Sequence, residues 1–351
     1  MSAVRRFKGA STAVMTSHHD QTRLLSIRGN LVPTWMTVLR KTRVLATTSV
    51  RSGAPPASTE EFVEQSIRIA GSAATKRLLD EKVLALWQLE GMAFAFFEQQ
   101  DDERVRVEDL ALPLEAGPPV HCGLAMAEVL KIGFDAERLM GRLEAVCDPL
   151  FARFAIETIG LMLAVYERDL MGVAASLLGR IGVVRHTRLH RPPLRSFLES
   201  VPESRWPLIA HGYGRALYFK RFSLEGSLRI AQRQDELSTE ATVRGVAAAY
   251  ALVNSRELAR VLGLRGSRSK VDLAVGIEGG IVNTLVLLEW TFPGCLISLD
   301  EVTSCASRLI DEAVNRAETA RRQGQGPPLL ACREEITSVW SSPNTEASLA
   351  D

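Results

Sequence analysis

His211-Gly212-Tyr213-Gly214-Arg215-Ala216 is one copy of a short signature that returns through the chain. A polar or charged residue meets glycine or another small residue, and Ala-rich apolar sequence follows. The other copies are Glu90-Gly91-Met92-Ala93-Phe94, His121-Cys122-Gly123-Leu124-Ala125, Glu157-Thr158-Ile159-Gly160-Leu161, Arg244-Gly245-Val246-Ala247-Ala248 and Glu278-Gly279-Gly280-Ile281. Counted from the lead residue of each, the steps are 31, 36, 54, 33 and 34. All but the longest match one helical hairpin. Glycine costs about 1 kcal/mol against alanine in a helix interior, so repeated helical glycines need a reason in packing or function. Close contact between neighbours in a stacked array supplies one. No stretch alternates with period two. The expected fold is therefore all-α: paired helices packed as a repeat-like array or bundle, with no substantial sheet.

Working outward from the signatures, residues 58–323 form the expected helical domain. Ser58 followed by Glu61 is a capping box that starts a helix after the Pro- and Gly-containing stretch 52–57. Residues 80–100 read as a strongly apolar helix. Pro113, Gly117, Pro118 and Pro119 read as the end of the next segment, with a helix over 120–132. Asp148-Pro149 opens another helix, because proline fits a first helical turn. Prolines 192, 193, 202 and 207 mark a break where the 54-residue step falls. Helices are expected over 208–222, 224–236, 239–253, 255–263 and 271–291, and a polar one over 299–323. Residues 324–351 read as a flexible tail.

Residues 1–57 read as a basic, partly disordered leader that includes one helical stretch over 31–45. Its charge is uneven with the rest: residues 1–59 hold nine Lys/Arg and one acid, whereas the remainder holds 33 and 40. Such an Arg-, Ser- and Thr-rich composition is shared by transit peptides and by flexible basic tails. The whole chain carries only +1, so nothing global points to nucleic acid. The most apolar stretch, residues 281–298, contains Glu289 and Pro293, so it reads as a buried core helix and no membrane span is expected. The five cysteines (122, 147, 295, 305 and 332) are odd in number and lack C-x-x-C spacing. Free thiols in a reducing compartment, and hence a cytoplasmic location, follow as expectations.

Several polar residues sit inside apolar helical sequence. Glu90, Glu128, Glu157 and Glu278, with the histidines His121 and His211, are the ligand-binding candidates, and Glu289 is a further buried acid. A buried carboxylate is costly unless paired, hydrogen-bonded or facing a cavity. One reading is a polar cluster lining an internal pocket; the other is capping and wet helix faces. No glutamate has histidine three residues later, which excludes the usual di-metal bundle site. Asp101-Asp102-Glu103 follows the aromatic run Phe94, Phe96, Phe97, as an acidic cluster holding Mg²⁺ against a diphosphate would. Val105 occupies the place of the last acid in Asp-Asp-x-x-Asp, so the motif is incomplete. His186 and His190 have metal-ligand spacing but lie among Arg185, Arg188 and Arg191. These arginines suit an anionic partner or phosphate better. No nucleophile elbow, Walker loop or dinucleotide-binding fingerprint is present.

The signatures at 90–93, 121–129, 148–166, 212–219 and 244–251 occur in an order that resembles a bacterial family found in enediyne biosynthetic gene clusters, the UnbL-like proteins. The resemblance covers roughly residues 58–290, and its most specific block is Gly212-Tyr213-Gly214-Arg215-Ala216-Leu217-Tyr218-Phe219. It implies a role in bacterial specialised metabolism, near a polyketide or similar apolar intermediate, and carries no catalytic residue set. Three functions follow as expectations. The first is a biosynthetic protein that binds or positions a long apolar intermediate, or docks a pathway enzyme, without a cofactor. The second is a noncanonical Mg-dependent terpene cyclase using Asp101 and Asp102, with Glu90 as a further candidate and Arg185, Arg188 and Arg191 steering diphosphate. The third is a helical-repeat scaffold for protein interaction.

Overall fold

A computed structural model of the chain describes residues 56–100, 105–166, 191–221, 223–257, 261, 271–296 and 304–327. Among them are eleven α-helices and no strand. In chain order these are α1 (Thr59–Ala74), α2 (Leu79–Gln99), α3 (Gly117–Ile132), α4 (Ala136–Val146), α5 (Ala152–Val165), α6 (Leu194–Glu199), α7 (Trp206–Arg221), α8 (Leu224–Ala231), α9 (Thr239–Val253), α10 (Val271–Thr291) and α11 (Ser304–Arg322). The all-α expectation holds.

The signatures fall one each on α2, α3, α5, α7, α9 and α10, and these helices pack in that order. They are the most buried elements: on α9 every residue from Ala241 to Val253 is buried. Contacts advance in step along each neighbouring pair, so neighbours run in the same direction. On α9 and α10, Gly276 lies against Val243, Gly280 against Arg244, and Thr284 Oγ1 donates to the Ala248 carbonyl at 3.0 Å. On α7 and α9, Gly214 meets Thr242 and Tyr218 meets Tyr250. On α2 and α3, Gly123 meets Glu90, and Lys131 Nζ donates to the Gln100 carbonyl at 2.6 Å.

The repeated glycine has one physical job. A Cβ on Gly212 would overlap the carbonyl oxygen of Glu157, and one on Gly245 would overlap that of His211. Gly123 stands in the same relation to Glu90, and Gly280 to Arg244. At these four steps the carbonyl of one signature's lead residue receives the glycine of the next; Gly160 meets the carbonyl of Ile209 instead. Contact this close brings Cα–H groups onto carbonyl oxygens, a weak but recurring attraction between helices.

Connecting helices lie outside this inner set and keep a wet face. α4 buries Leu139, Met140, Leu143 and Val146; α11 buries Ala313, Ala317 and Ala320 toward α10. Side-chain caps fix where several helices begin. Ser58 Oγ accepts from Glu61 N–H, Asp135 Oδ1 from Arg138, Ser223 Oγ from Gly226, and Ser238 Oγ from Ala241. α1 folds back on α2, with Phe62 stacked on Phe96 at 4.3 Å between ring centroids.

The two ends of the inner set meet. Lys82, near the start of α2, holds its Nζ 4.9 Å from the ring centroid of Phe292, just past α10. Trp290 packs edge-on against Phe151 at the start of α5. The array therefore closes on itself.

Four boundaries differ from expectation. Gly117, Pro118 and Pro119 begin α3, because the first helical turn needs no N–H bond from proline. α4 fills a stretch with no signature. α8 stops at Ala231, and the helix expected over 255–263 begins as a 3₁₀ turn at Ser255–Glu257, with Val261 helical and 258–260, 262 and 263 outside the described residues. The expectations for 1–55, 328–351 and the helix over 31–45 lie outside the described residues. No helix among the described residues is long and apolar enough to cross a membrane.

Candidate functional site

All six inner helices send side chains to one central cavity of about 60 Å³. α2 contributes Leu86, Trp87 and Glu90; α3 contributes Pro118, Pro119 and Cys122; α5 contributes Phe154 and Glu157. From α7 come His211 and Arg215, from α9 Ala248 and Leu252, and from α10 Asn283, Thr284 and Leu287. Most of the wall is apolar, and the polar groups converge from four sides. Such convergence in an apolar concavity is the usual form of a small-molecule site.

Glu157 is the hub. It is 1% exposed, and its Oε1 accepts from Arg215 Nη1 at 2.6 Å and from His211 Nδ1 at 3.1 Å. Burial alone raises a carboxyl pKa, but Arg215 and His211 outweigh it and hold Glu157 down near 2. Burial disfavours the Arg215 charge in turn, and Glu157 more than restores it. His211 and Arg215 are four residues apart, so one helix face presents both. A carboxylate cannot donate, so His211 Nδ1 carries the proton that joins them. His211 Nε2, on the other side of the ring, is buried with no hydrogen-bond partner.

Cys122 sits beside this cluster, its Sγ 3.9 Å from the Phe154 carbonyl. Burial, reinforced by the field of Glu90, pushes its thiol up to about 12. It is a protonated wall group rather than a ready nucleophile.

Three of the six ligand-binding candidates, Glu90, Glu157 and His211, thus come together. The other three do not line the cavity. His121 is fully buried, with Nδ1 donating to the Gly117 carbonyl at 2.7 Å and Nε2 accepting from Asp148 N–H at 3.0 Å. Burial lowers its pKa to about 4, against the opposing pull of Gly117 and Asp148. It ties the start of α3 to the turn before α5. Glu128 pairs with Arg142 at 3.2 Å and Lys131 at 3.7 Å, joining α3 to α4. Glu278 is only partly buried on α10. Glu289 accepts from Gly294 and Leu296 N–H in the turn after α10. Arg191 is partly buried before α6, whereas Asp101, Asp102, Arg185 and Arg188 lie outside the described residues. No three His, Cys, Asp or Glu among the described residues converge as a metal requires.

Sequence reasoning missed Arg215, Cys122, Trp87, Phe154 and Thr284. Arg215 was findable: it stands one helical turn after His211. The others carry no local signal, because only the closure of the array gathers them. No family model matches the chain, and no curated protein or solved structure gives a match.

Proposed function

We propose that the protein binds a mainly apolar small molecule by one end in the central cavity, and that this molecule is an intermediate of bacterial specialised metabolism. The observation that carries this reading is the cavity itself: six helices converge on apolar walls around His211 Nε2, a buried polar atom with no hydrogen-bond partner. About 60 Å³ holds a few water-sized groups, so a long molecule enters only by its tip. An interaction scaffold needs an open groove, whereas this array closes around a pocket. The biosynthetic setting rests on the resemblance of the signatures alone.

The test uses apolar probes of cavity size, benzene and toluene, with thermal unfolding as readout. The expected result is a saturable rise in Tm, removed by Ala248→Leu, which fills the cavity from α9. No rise, or a rise that survives the filled variant, rejects the reading.

A further inference from the structure

We infer that the cavity selects a hydroxyl-bearing apolar molecule, with His211 Nε2 and Arg215 as hydrogen-bond partners for the same oxygen. This rests on the binding reading above and names the chemical class of its ligand.

Four observations point the same way. His211 is 7% exposed and lines the cavity, and its Nε2 is buried without a partner. A buried polar atom left unpaired is costly, so a ligand group gains by pairing it. The Glu157 carboxylate fixes which ring nitrogen is free, because it takes Nδ1–H at 3.1 Å. Nε2 is then the ring atom left for a ligand. Arg215 gives Glu157 one N–H, at 2.6 Å, and also borders the cavity. A guanidinium has five N–H donors, so it retains capacity to donate to a ligand oxygen. Finally, two carboxyl groups, Glu90 and Glu157, border the cavity against one guanidinium.

Each alternative head group fails on one of these counts. A carboxylate adds a third acid to a cavity already bordered by two. An ammonium has nothing with which to accept from Arg215 and brings another cation beside it. A hydrocarbon end leaves Nε2 unpaired. A hydroxyl can either donate to or accept from His211 Nε2 while it accepts from Arg215, and its apolar body lies against Trp87, Phe154 and Leu287.

The experiment compares four probes with one body: toluene, benzyl alcohol, benzylamine and benzoate. Affinities come from titration calorimetry with the full chain. One added net hydrogen bond corresponds to roughly a tenfold preference for benzyl alcohol over toluene. Benzylamine and benzoate are expected to bind more weakly than benzyl alcohol. In His211→Phe the alcohol preference should vanish while toluene still binds. A second readout covers a variant that fails to fold: in the native protein labelled with ¹⁵N-histidine, benzyl alcohol should shift the Nε2 resonance and toluene should not. Equal binding of toluene and benzyl alcohol, or strongest binding of benzoate or benzylamine, overturns the inference and leaves the binding reading standing. Alcohol preference that survives His211→Phe does the same. Failure of all four probes to bind rejects both.

Discussion

At the scale of single residues, the glycines and the Glu157 cluster do opposite kinds of work. Gly212 and Gly245 meet backbone carbonyls that have no flexible end to move. Gly212→Ala and Gly245→Ala should therefore destabilise by at least the roughly 1–3 kcal/mol of ordinary overpacking, read by urea unfolding. Gly71 and Gly141 are also helical, but nothing lies within 4 Å of a Cβ there. Their replacement by alanine should stabilise by about 0.5–1 kcal/mol. If all four variants behaved alike, the packing role of the signature would be wrong. Glu157→Gln leaves a buried arginine without its partner, and a loss of about 3–5 kcal/mol is expected. The double change Glu157→Gln with Arg215→Met should recover much of it. Acid should act in two stages. The unfolded chain protonates His121 near 6.5, while burial keeps it neutral in the fold down to about 4, so stability falls across that window. Glu157 adds a second loss as pH drops from about 4.5 toward 2, because its folded pKa is depressed. Urea midpoints that stay level between pH 6.5 and 4 would contradict the first stage. Legibility at this scale was partial. Glu90, Glu157 and His211 stood out as polar residues in apolar helices, but so did His121 and Glu128, which bond to neighbouring structure instead.

At the scale of elements, caps and faces were readable and boundaries less so. Ser58 with Glu61 marked the start of α1 from the sequence alone. The prolines before α3 read as a stop but form its first turn, since local composition does not tell which side of a proline the helix takes. α4 went unread because it carries no signature, although its apolar residues recur at helical spacing. Lys82 shows how one element is fastened to another. Its Nζ donates to the Ala73 carbonyl at 3.1 Å and the Ala74 carbonyl at 2.9 Å, capping the end of α1 from within α2. Burial lowers its pKa, yet these carbonyls at the negative end of a helix still favour a cation. Lys82→Met should cost roughly 1–3 kcal/mol, the price of leaving buried acceptors unpaired. The same loss from Lys76→Met, at an exposed site, would show that the cap does not matter.

At the scale of the whole molecule, closure couples distant segments. Leu285 is fully buried on α10, and Leu285→Ala should cost about 2–5 kcal/mol through transfer and cavity terms. Because α2 and α10 share the cavity and their ends meet, amide exchange should rise in both helices together. Exchange confined to α10 would mean that the array is not one cooperative unit. Closure is also what the sequence could not announce. Steps of 31 to 36 residues are compatible with an open solenoid as much as with a ring. Only the packing of Lys82 on Phe292, and of Trp290 on Phe151, decides between them. The same contact has a meaning for synthesis of the chain. Its partners are separated by most of the described sequence, so it belongs to the slow, non-local class of contacts. A ribosome that has released α2 through α9 has made five of the six inner helices, with the cavity still open on one side. Until α10 emerges, Glu157 and its partners face an unfinished wall, and the nascent protein is most in need of protection from aggregation.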